Sequence, residues 1–179
     1  SADGFIDKMR TEGKPVVLST PLTSMLVHKK RAEHVAILVG RKTALLDNPS
    51  LTTRHWFGKN PIRLVIDKNL TLPLNLSLFD GKQRTLVFTQ KTTTVSHKNV
   101  EYISLDFSRD ILLQMMEILY KEKIQSLIVE GGSTLLQSFI NAHLWDEACI
   151  EESPIFLSNG IKVPRMPQKY LSTAQKHFC

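Results

Sequence analysis

The sequence predicts a single α/β domain in which helices pack against a mostly parallel β-sheet. Short apolar runs rich in Val, Ile and Leu alternate with amphipathic stretches of helical spacing. The apolar residues of these runs are consecutive, as in strands that are covered on both faces. With 179 residues, of which 42% are hydrophobic, the chain can bury one core but is shorter than two domains usually need.

Six apolar runs are predicted strands. They comprise residues 35–39, 62–66, 85–88, 100–103, 126–129 and 147–151. Loops around Pro61 and Pro73 flank the second run. Asn159 and Gly160 indicate a turn, and residues 170–179 are interpreted as a final strand.

Helices are predicted between these strands. The first begins at Pro21, behind the potential N-cap Thr20, and extends to about Ala32. The clearest helix covers residues 106–122. Its apolar residues recur at three- and four-residue spacing: Ile111, Leu112, Met115, Met116, Ile118 and Leu119. We interpret the two methionines as packing residues and not as part of a cofactor site.

The charge pattern argues against a nucleic-acid partner. The formal net charge is +6, but the densest basic run, His28 to Arg31, is brief and is followed by Glu33. No long basic stripe with interleaved aromatic residues is present. We interpret the run as a solvated helix end, with a phosphate-binding role as the alternative.

The apolar runs, the cysteines and the chain ends give further expectations about the protein's surroundings and its length. No apolar run reaches the length of about 18 residues that a membrane span needs, so we expect no membrane partner. Cys149 and Cys179 have no metal-ligand spacing and form no disulfide framework, which favours a reduced, cytoplasmic setting. Ser1 to Gly4 resembles a turn with no strand before it. We therefore expect a chain truncated at its N-terminus, and possibly at its C-terminus.

Glu130, Gly131 and Gly132 form the first candidate site. They follow a predicted strand, and the paired glycines permit a tight turn and a close approach to a ligand. Ser133 or Thr134 is then the expected cap of a helix whose exposed amides attract phosphate. Locally, a strand-to-helix turn with nothing bound explains the pattern equally well. Glu130 would need substrate hydroxyls, a cation or a structural salt bridge as its partner.

A second candidate site follows Gly40. Thr43, Asp47 and Arg54 are spaced by four and seven residues, so that a short helical turn and a loop would present them to one cleft. Arg31 and Arg54 would both be able to bind a phosphate bidentately. The alternative is an ordinary turn in which Asp47 caps a helix end.

Taken in order, these motifs resemble the reductase domain of the bifunctional riboflavin-biosynthesis deaminase/reductase family. The resemblance is dense over the first third of the chain and rests on one motif in the last third. It implies a dihydrofolate-reductase-like fold, a three-layer α/β/α sandwich. The matching stretches are SADG at 1–4, STP at 19–21, KRAEHVAILVG at 30–40, TALLDNPSLTTR at 43–54, PIRLVID at 61–67 and VEGGSTL at 129–135.

The resemblance implies a reaction and a set of site residues. The reaction is the NADPH-dependent reduction of 5-amino-6-(5-phospho-D-ribosylamino)uracil to its ribitylamino product, without a metal. Asp47 would be catalytic and would lie with Thr43 at the cofactor. The remaining implied residues are Gly131, Gly132, Ser133, Thr134 and Leu135 for the cofactor, and Arg31, Leu51, Arg54 and Glu130 for the substrate. Relatives also imply a homodimer and an N-terminal deaminase domain fused in the parent protein.

Two positions depart from the family pattern. Val17 stands where many relatives carry Trp, and Lys68 replaces a common serine, where it would reach the 2′-phosphate of NADPH or remain solvated. The zinc pattern of the deaminase half is absent from the sequence. Two other functions remain open: a pteridine reductase of the same fold, and a non-catalytic domain that binds NADPH or a flavin precursor.

Overall fold

The computed structural model describes residues 1–167, and a parallel five-stranded β-sheet organises them. Within these residues the strands are β1 Phe5–Asp7, β2 Ala36–Gly40, β3 Ile62–Ile66, β4 Thr85–Thr89, β5 Val100–Ser104, β6 Leu127–Gly131 and β7 Ile161–Lys162. The sheet has the order β5-β4-β3-β2-β6, and all its neighbouring strands are parallel. The α/β class and five of the six predicted strands are confirmed.

Side-chain alternation along the strands produces two apolar cores, one on each face of the sheet. Leu38, Leu64 and Leu86 point to the face that is covered by α3 and α4. Val39, Val65 and Val87, the next residues along these strands, point to the opposite face. There they pack against α2 and the loop that follows it. The helices are α1 Pro21–Glu33, α2 Arg41–Asp47, α3 Ile111–Lys121 and α4 Ser133–Asn141.

Side-chain caps explain where two of the helices begin. At α1, the hydroxyl of Thr20 accepts a hydrogen bond from the Thr23 amide at 3.2 Å, and the Thr23 hydroxyl accepts one from the Thr20 amide at 2.9 Å. At α3, a carboxylate oxygen of Asp110 accepts from the Leu112 amide at 2.9 Å. The helix therefore begins later than the predicted residue 106.

Two further expectations are wrong. Residues 147–151 form no strand. Ile150 is 61% exposed, and Glu147 is bound by the Lys30 ammonium at 3.1 Å, so a side chain of α1 contacts this segment instead of a neighbouring strand. The cap of α4 is Gly132, which has no side-chain hydrogen bond, and not Ser133 or Thr134. Its φ of +81° is a conformation that glycine adopts without strain. The predicted strand at 170–179 lies outside the described residues.

A short antiparallel ribbon of β1 and β7 accompanies the main sheet. The turn predicted at Asn159 and Gly160 precedes β7, and Gly160 has a φ of +146°. A Cβ at this position would overlap the carbonyl oxygen of Asp7. Gly160 therefore permits the close approach that sets the end of β1.

No helix within residues 1–167 is long and apolar enough to cross a membrane.

Gly160→Ala tests this close approach. We expect the free energy of unfolding to fall by about 2 kcal/mol or more, because a side chain meets both an unfavourable φ and the Asp7 carbonyl. Gly13→Ala is the matched control, since its φ is +83° but nothing lies within 4 Å of the added Cβ. Urea unfolding measures both variants. Equal losses of unfolding free energy in the two variants would mean that the contact with Asp7 contributes nothing to the effect of Gly160→Ala.

Candidate active site

The candidate site lies where the direction of strand addition reverses. From β2, the chain adds β3, β4 and β5 on one side, whereas β6 lies on the other side of β2. In open parallel sheets a crevice forms at such a reversal, outside the carboxyl ends of the strands. Here those ends are Gly40 of β2 and Gly131 of β6, and each leads directly into a helix.

The Thr43 side chain of α2 lies so close to the end of β6 that residue 131 has no room for a side chain. An added Cβ at Gly131 would lie 2.8 Å from Cγ2 of Thr43, on α2. One at Gly132 would lie 3.4 Å from the Thr43 hydroxyl oxygen. At Gly40, the nearest side-chain atom would be Cδ2 of Leu135, at 3.8 Å. The structure thus brings Thr43 together with the glycine turn and with Leu135.

Glu130 and Arg31 form a bidentate ion pair. Nε of Arg31 donates to Oε1 at 2.7 Å and Nη2 donates to Oε2 at 2.5 Å. Both side chains are mostly buried, with 13% of Arg31 and 17% of Glu130 exposed. Nη1 of Arg31 also donates to the Thr52 carbonyl at 3.1 Å. Of the partners considered for Glu130, the structure contains the salt bridge, and it joins α1 to β6.

Asp47 is also paired with an arginine. It is the last residue of α2, and Nη2 of Arg10 donates to its Oδ1. Nε of the same arginine donates to Oδ2 of Asp7 at 2.7 Å. Burial acts to raise the pKa of Asp7, but the pairing with Arg10 and the backbone amides that hydrogen-bond the carboxylate together lower it.

Arg54 differs from these two arginines because its side chain is exposed and its hydrogen-bond acceptors are hydroxyls. Nη1 is 3.2 Å from the Ser50 hydroxyl and 3.4 Å from that of Thr52. Within residues 1–167, no carboxylate forms a salt bridge with it. The guanidinium therefore remains available to an anion.

A buried arginine holds the loop that carries these hydroxyls. Nε of Arg63, on β3, donates to the Ser50 carbonyl at 3.0 Å, and Nη1 donates to Asp80 at 2.8 Å. The Arg63 guanidinium keeps the pKa of Asp80 below its usual range. In the same loop Leu51 is 1% exposed and has a φ of +50°, which is strained for a side chain of that size. Burial of Leu51 and the bonds to Arg63 together fix the loop.

His28 is a buried histidine near Arg31 and Arg54. It is only 3% exposed, and within residues 1–167 its Nδ1 has no hydrogen-bond partner. Its ring contacts that of His55 edge to face, with 4.7 Å between the ring centroids. Burial lowers its pKa to about 4, and the charges of Arg31 and Arg54 act in the same direction. The interpretation of residues 28–31 as a solvated helix end therefore fails for His28 and Arg31. The sequence signal for this pair was the three-residue spacing of His28 and Arg31, which places both side chains on one face of the helix.

Other candidate residues lie around this centre. The Ser133 hydroxyl donates to the Lys162 carbonyl at 2.7 Å, and the Thr134 carbonyl accepts from Ser138 at 2.9 Å. A groove of about 440 Å³ runs beside α4 and includes Ser133 and Thr134, but not Asp47 or Arg54. Nζ of Lys68 lies 5.3 Å from the centre of the Phe107 ring. Val17 is 77% exposed.

Comparison with known proteins shows the family. Residues 1–176 match the family model described as the RibD C-terminal domain. Over 173 residues the chain is 34% identical to a 2,5-diamino-6-ribosylamino-4(3H)-pyrimidinone 5′-phosphate reductase of Archaeoglobus fulgidus, covering 88% of this chain and 78% of that protein. It is 34% identical over 139 residues to the riboflavin biosynthesis protein RibD of Bacillus amyloliquefaciens, covering 73% of this chain and 38% of that protein.

A solved structure has the same fold. It is the diaminohydroxyphosphoribosylaminopyrimidine deaminase/5-amino-6-(5-phosphoribosylamino)uracil reductase of Thermotoga maritima, with a TM-score of 0.68 and 33% identity. The match covers 78% of this chain and 39% of that one, so the chain spans well under half of the bifunctional relative. This likeness confirms the predicted dihydrofolate-reductase-like fold class.

The burial of neutral His28 predicts a specific pH dependence of stability. Unfolded histidine titrates near 6.5, whereas the pKa in the folded protein is about 4. Between these values the unfolded state binds the proton, so stability falls as the pH drops from about 6.5 to 4, by about 2 to 3 kcal/mol. We expect His28→Gln to remove this part of the pH dependence in urea unfolding. The control is His143→Gln, at an exposed position. A wild-type slope retained in His28→Gln would contradict the assignment.

Proposed function

The chain belongs to the RibD C-terminal domain family, and on that premise we propose that it reduces the ribose of 5-amino-6-(5-phospho-D-ribosylamino)uracil with NADPH, in riboflavin biosynthesis. One observation carries the proposal. The glycine turn with Thr43 against it, and the Arg31–Glu130 pair beside the loop that carries Arg54, lie where the strand order reverses. Asp47 ends the helix that begins there. That is where a sheet of this class binds its ligands.

The glycine turn fits a dinucleotide cofactor. Gly131 and Gly132 have no side chains that would obstruct a ligand, and α4 begins without a side-chain cap. Its first amides are therefore free to bind a phosphate. Thr43 lies against the turn and would face the same cofactor. Bound NADPH would supply the hydride, and Lys68 is the candidate cation for its 2′-phosphate.

The reaction requires an electrophilic ribose carbon. The glycosidic nitrogen forms a double bond to C1 as the C1–O4′ bond breaks, and O4′ takes a proton from solvent. The hydride then adds to C1, and its arrival returns the electron pair of the double bond to nitrogen. Positioning and a nearby carboxylate suffice for these steps. We assign that carboxylate to Asp47.

The substrate side of the site is assigned to the loop after α2 and to the Arg31–Glu130 pair. Arg54 is the proposed phosphate ligand because its guanidinium has no carboxylate partner within the described residues. Leu51 would line the site through its backbone, since its side chain is buried in the core. Glu130 would offer its carboxylate to the ribose or the uracil while remaining bound to Arg31.

A second candidate substrate differs only in the base. The Archaeoglobus relative covers most of this chain and is named a reductase of the 2,5-diamino-pyrimidinone, the form that has not been deaminated. The same hydride transfer at C1 would convert it. We also propose a parent protein with a fused deaminase domain, since the Thermotoga relative is named for both activities. A homodimer and a cytoplasmic location are proposed from the family resemblance alone.

The direct test is NADPH oxidation with three substrates in parallel: the phosphoribosylaminouracil, its diaminopyrimidinone counterpart and dihydrofolate. We expect turnover with the first, and the rate with the second decides between the two bases. Turnover with dihydrofolate alone would replace this proposal with a pteridine reductase. Binding of NADPH without any turnover would support a sensor domain. NADH in place of NADPH tests the cofactor preference.

Arg54→Ala tests the phosphate assignment. We expect the KM for the phosphorylated substrate to rise about tenfold or more, because an exposed charge-assisted contact is lost. The effect should vanish with a dephosphorylated substrate, for which the wild type and the variant become equal. Arg109→Ala, at an exposed arginine before α3, is the control. An equal rise in KM for both substrates would refute a role for Arg54 at the phosphate.

A further inference from the structure

The loop that carries Arg54 lies against helix α1. Thr52 and His55, which stand on either side of Arg54 in the chain, both contact side chains of this helix. Nη1 of Arg31 donates to the Thr52 carbonyl at 3.1 Å, and the His55 ring meets the His28 ring edge to face. Arg54 itself is exposed, and its Nη1 donates to hydroxyls of its own loop. The position of its guanidinium therefore depends on the backbone on either side of it.

His28 is the side chain of α1 that reaches both of these flanking residues. It is 3% exposed, and 4.7 Å separate the centroids of its ring and the His55 ring. Burial is the main cause that lowers its pKa, whereas a hydrogen bond to the Thr52 backbone acts in the opposite direction. One buried side chain thus contacts the loop on both sides of Arg54.

Other contacts fix the remainder of this loop. The amide and the hydroxyl of Thr53 both donate to Oδ1 of Asn60 at 2.9 Å, which closes the loop on itself. Further along, an added Cβ at Gly58 would lie 2.9 Å from Cβ of Ala32, so the backbone there lies directly on α1. The loss of His28 should therefore loosen the beginning of the loop without releasing the whole loop.

We propose that His28 is a positioning residue, which acts through the Thr52 backbone and the His55 ring to hold Arg54 where its guanidinium binds the substrate phosphate. The inference rests on the reductase function proposed above, in which Arg54 is the phosphate ligand. A guanidinium that is already held in place loses less conformational freedom on binding, and so binds more tightly. His28 would not contact the phosphate through Nδ1, because that atom is buried.

The first test measures binding and needs no activity. The probe is ribose 5-phosphate, titrated by calorimetry at about pH 7.5. We expect His28→Ala to weaken its binding about fivefold, because the guanidinium of Arg54 is held less firmly. The double variant of His28→Ala and Arg54→Ala should bind no more weakly than Arg54→Ala alone, since His28 acts through that arginine.

Two conservative variants separate the two contacts of His28. His28→Phe keeps a ring against His55 but has no donor for the Thr52 backbone, whereas His28→Gln keeps a donor and loses the ring. Each should retain part of the affinity and bind about twofold more weakly than the wild type. Leu119→Val is the control for lost core packing, since Leu119 is also 3% exposed but lies in α3. It should lower the urea midpoint and leave the Kd of ribose 5-phosphate unchanged.

The second test is the effect of His28→Ala on the kinetics with NADPH and the phosphoribosylaminouracil. We expect the KM for this substrate to rise, while kcat and the KM for NADPH stay within about twofold of the wild type. With the dephosphorylated substrate, the variant and the wild type should have the same KM. A purely structural role of His28 would change all of these constants together.

The outcomes separate this inference from the proposed reaction. A wild type that binds ribose 5-phosphate but does not oxidise NADPH refutes the reaction, and the calorimetry still decides on His28. An unchanged affinity in His28→Ala overturns the inference. A further loss when His28→Ala is added to Arg54→Ala also overturns it, because His28 would then act independently of Arg54. No binding of ribose 5-phosphate by the wild type, or wild-type binding by Arg54→Ala, refutes the phosphate site and the inference with it.

Discussion

The contact between Thr43 and Gly131 is the constraint on which the rest of the site depends. Because β6 lies directly beside β2, the helices that follow these strands begin side by side. The Cγ2 atom of Thr43 occupies the space that a side chain at residue 131 would need. A side chain at residue 131 would force Thr43 to shift. Glycine is therefore required by packing, before any argument about a cofactor is made.

The second requirement is a rigid loop after α2. An ordinary surface loop is mobile and would hold a phosphate ligand poorly. Here Arg63 donates to the Ser50 carbonyl from inside the sheet, and the left-handed backbone at Leu51 directs its side chain into the core. A buried cation of this kind is costly unless its donors are satisfied, and Asp80 and the carbonyls satisfy them. The strain at Leu51 is offset by burial.

The sequence predicted the strands well because continuous apolar runs bounded by turns have few other structures available to them. The absence of a strand at 147–151 shows the limit of that rule, because an apolar run forms a strand only when it can pair with the edge strand of a sheet. The site was predicted less completely. Glu130 and Arg31 are 99 positions apart and Arg10 and Asp47 are 37 apart, so no local pattern reveals either pair. Only the family resemblance placed Arg31, Asp47 and Glu130 in one site.

The distribution of charge distinguishes Arg54 from the arginines at positions 10 and 31, because within residues 1–167 it has no carboxylate partner. Arg31 is compensated by Glu130, and Arg10 is compensated by Asp7 and Asp47. His28 would add a further buried positive charge, but burial and the neighbouring arginines keep it neutral at physiological pH. Arg54 therefore lies in a neighbourhood whose other charges are balanced, beside hydroxyls that would serve as additional donors. An anion that binds there gains an unpaired guanidinium without breaking an existing salt bridge, which favours a phosphorylated ligand over an uncharged one.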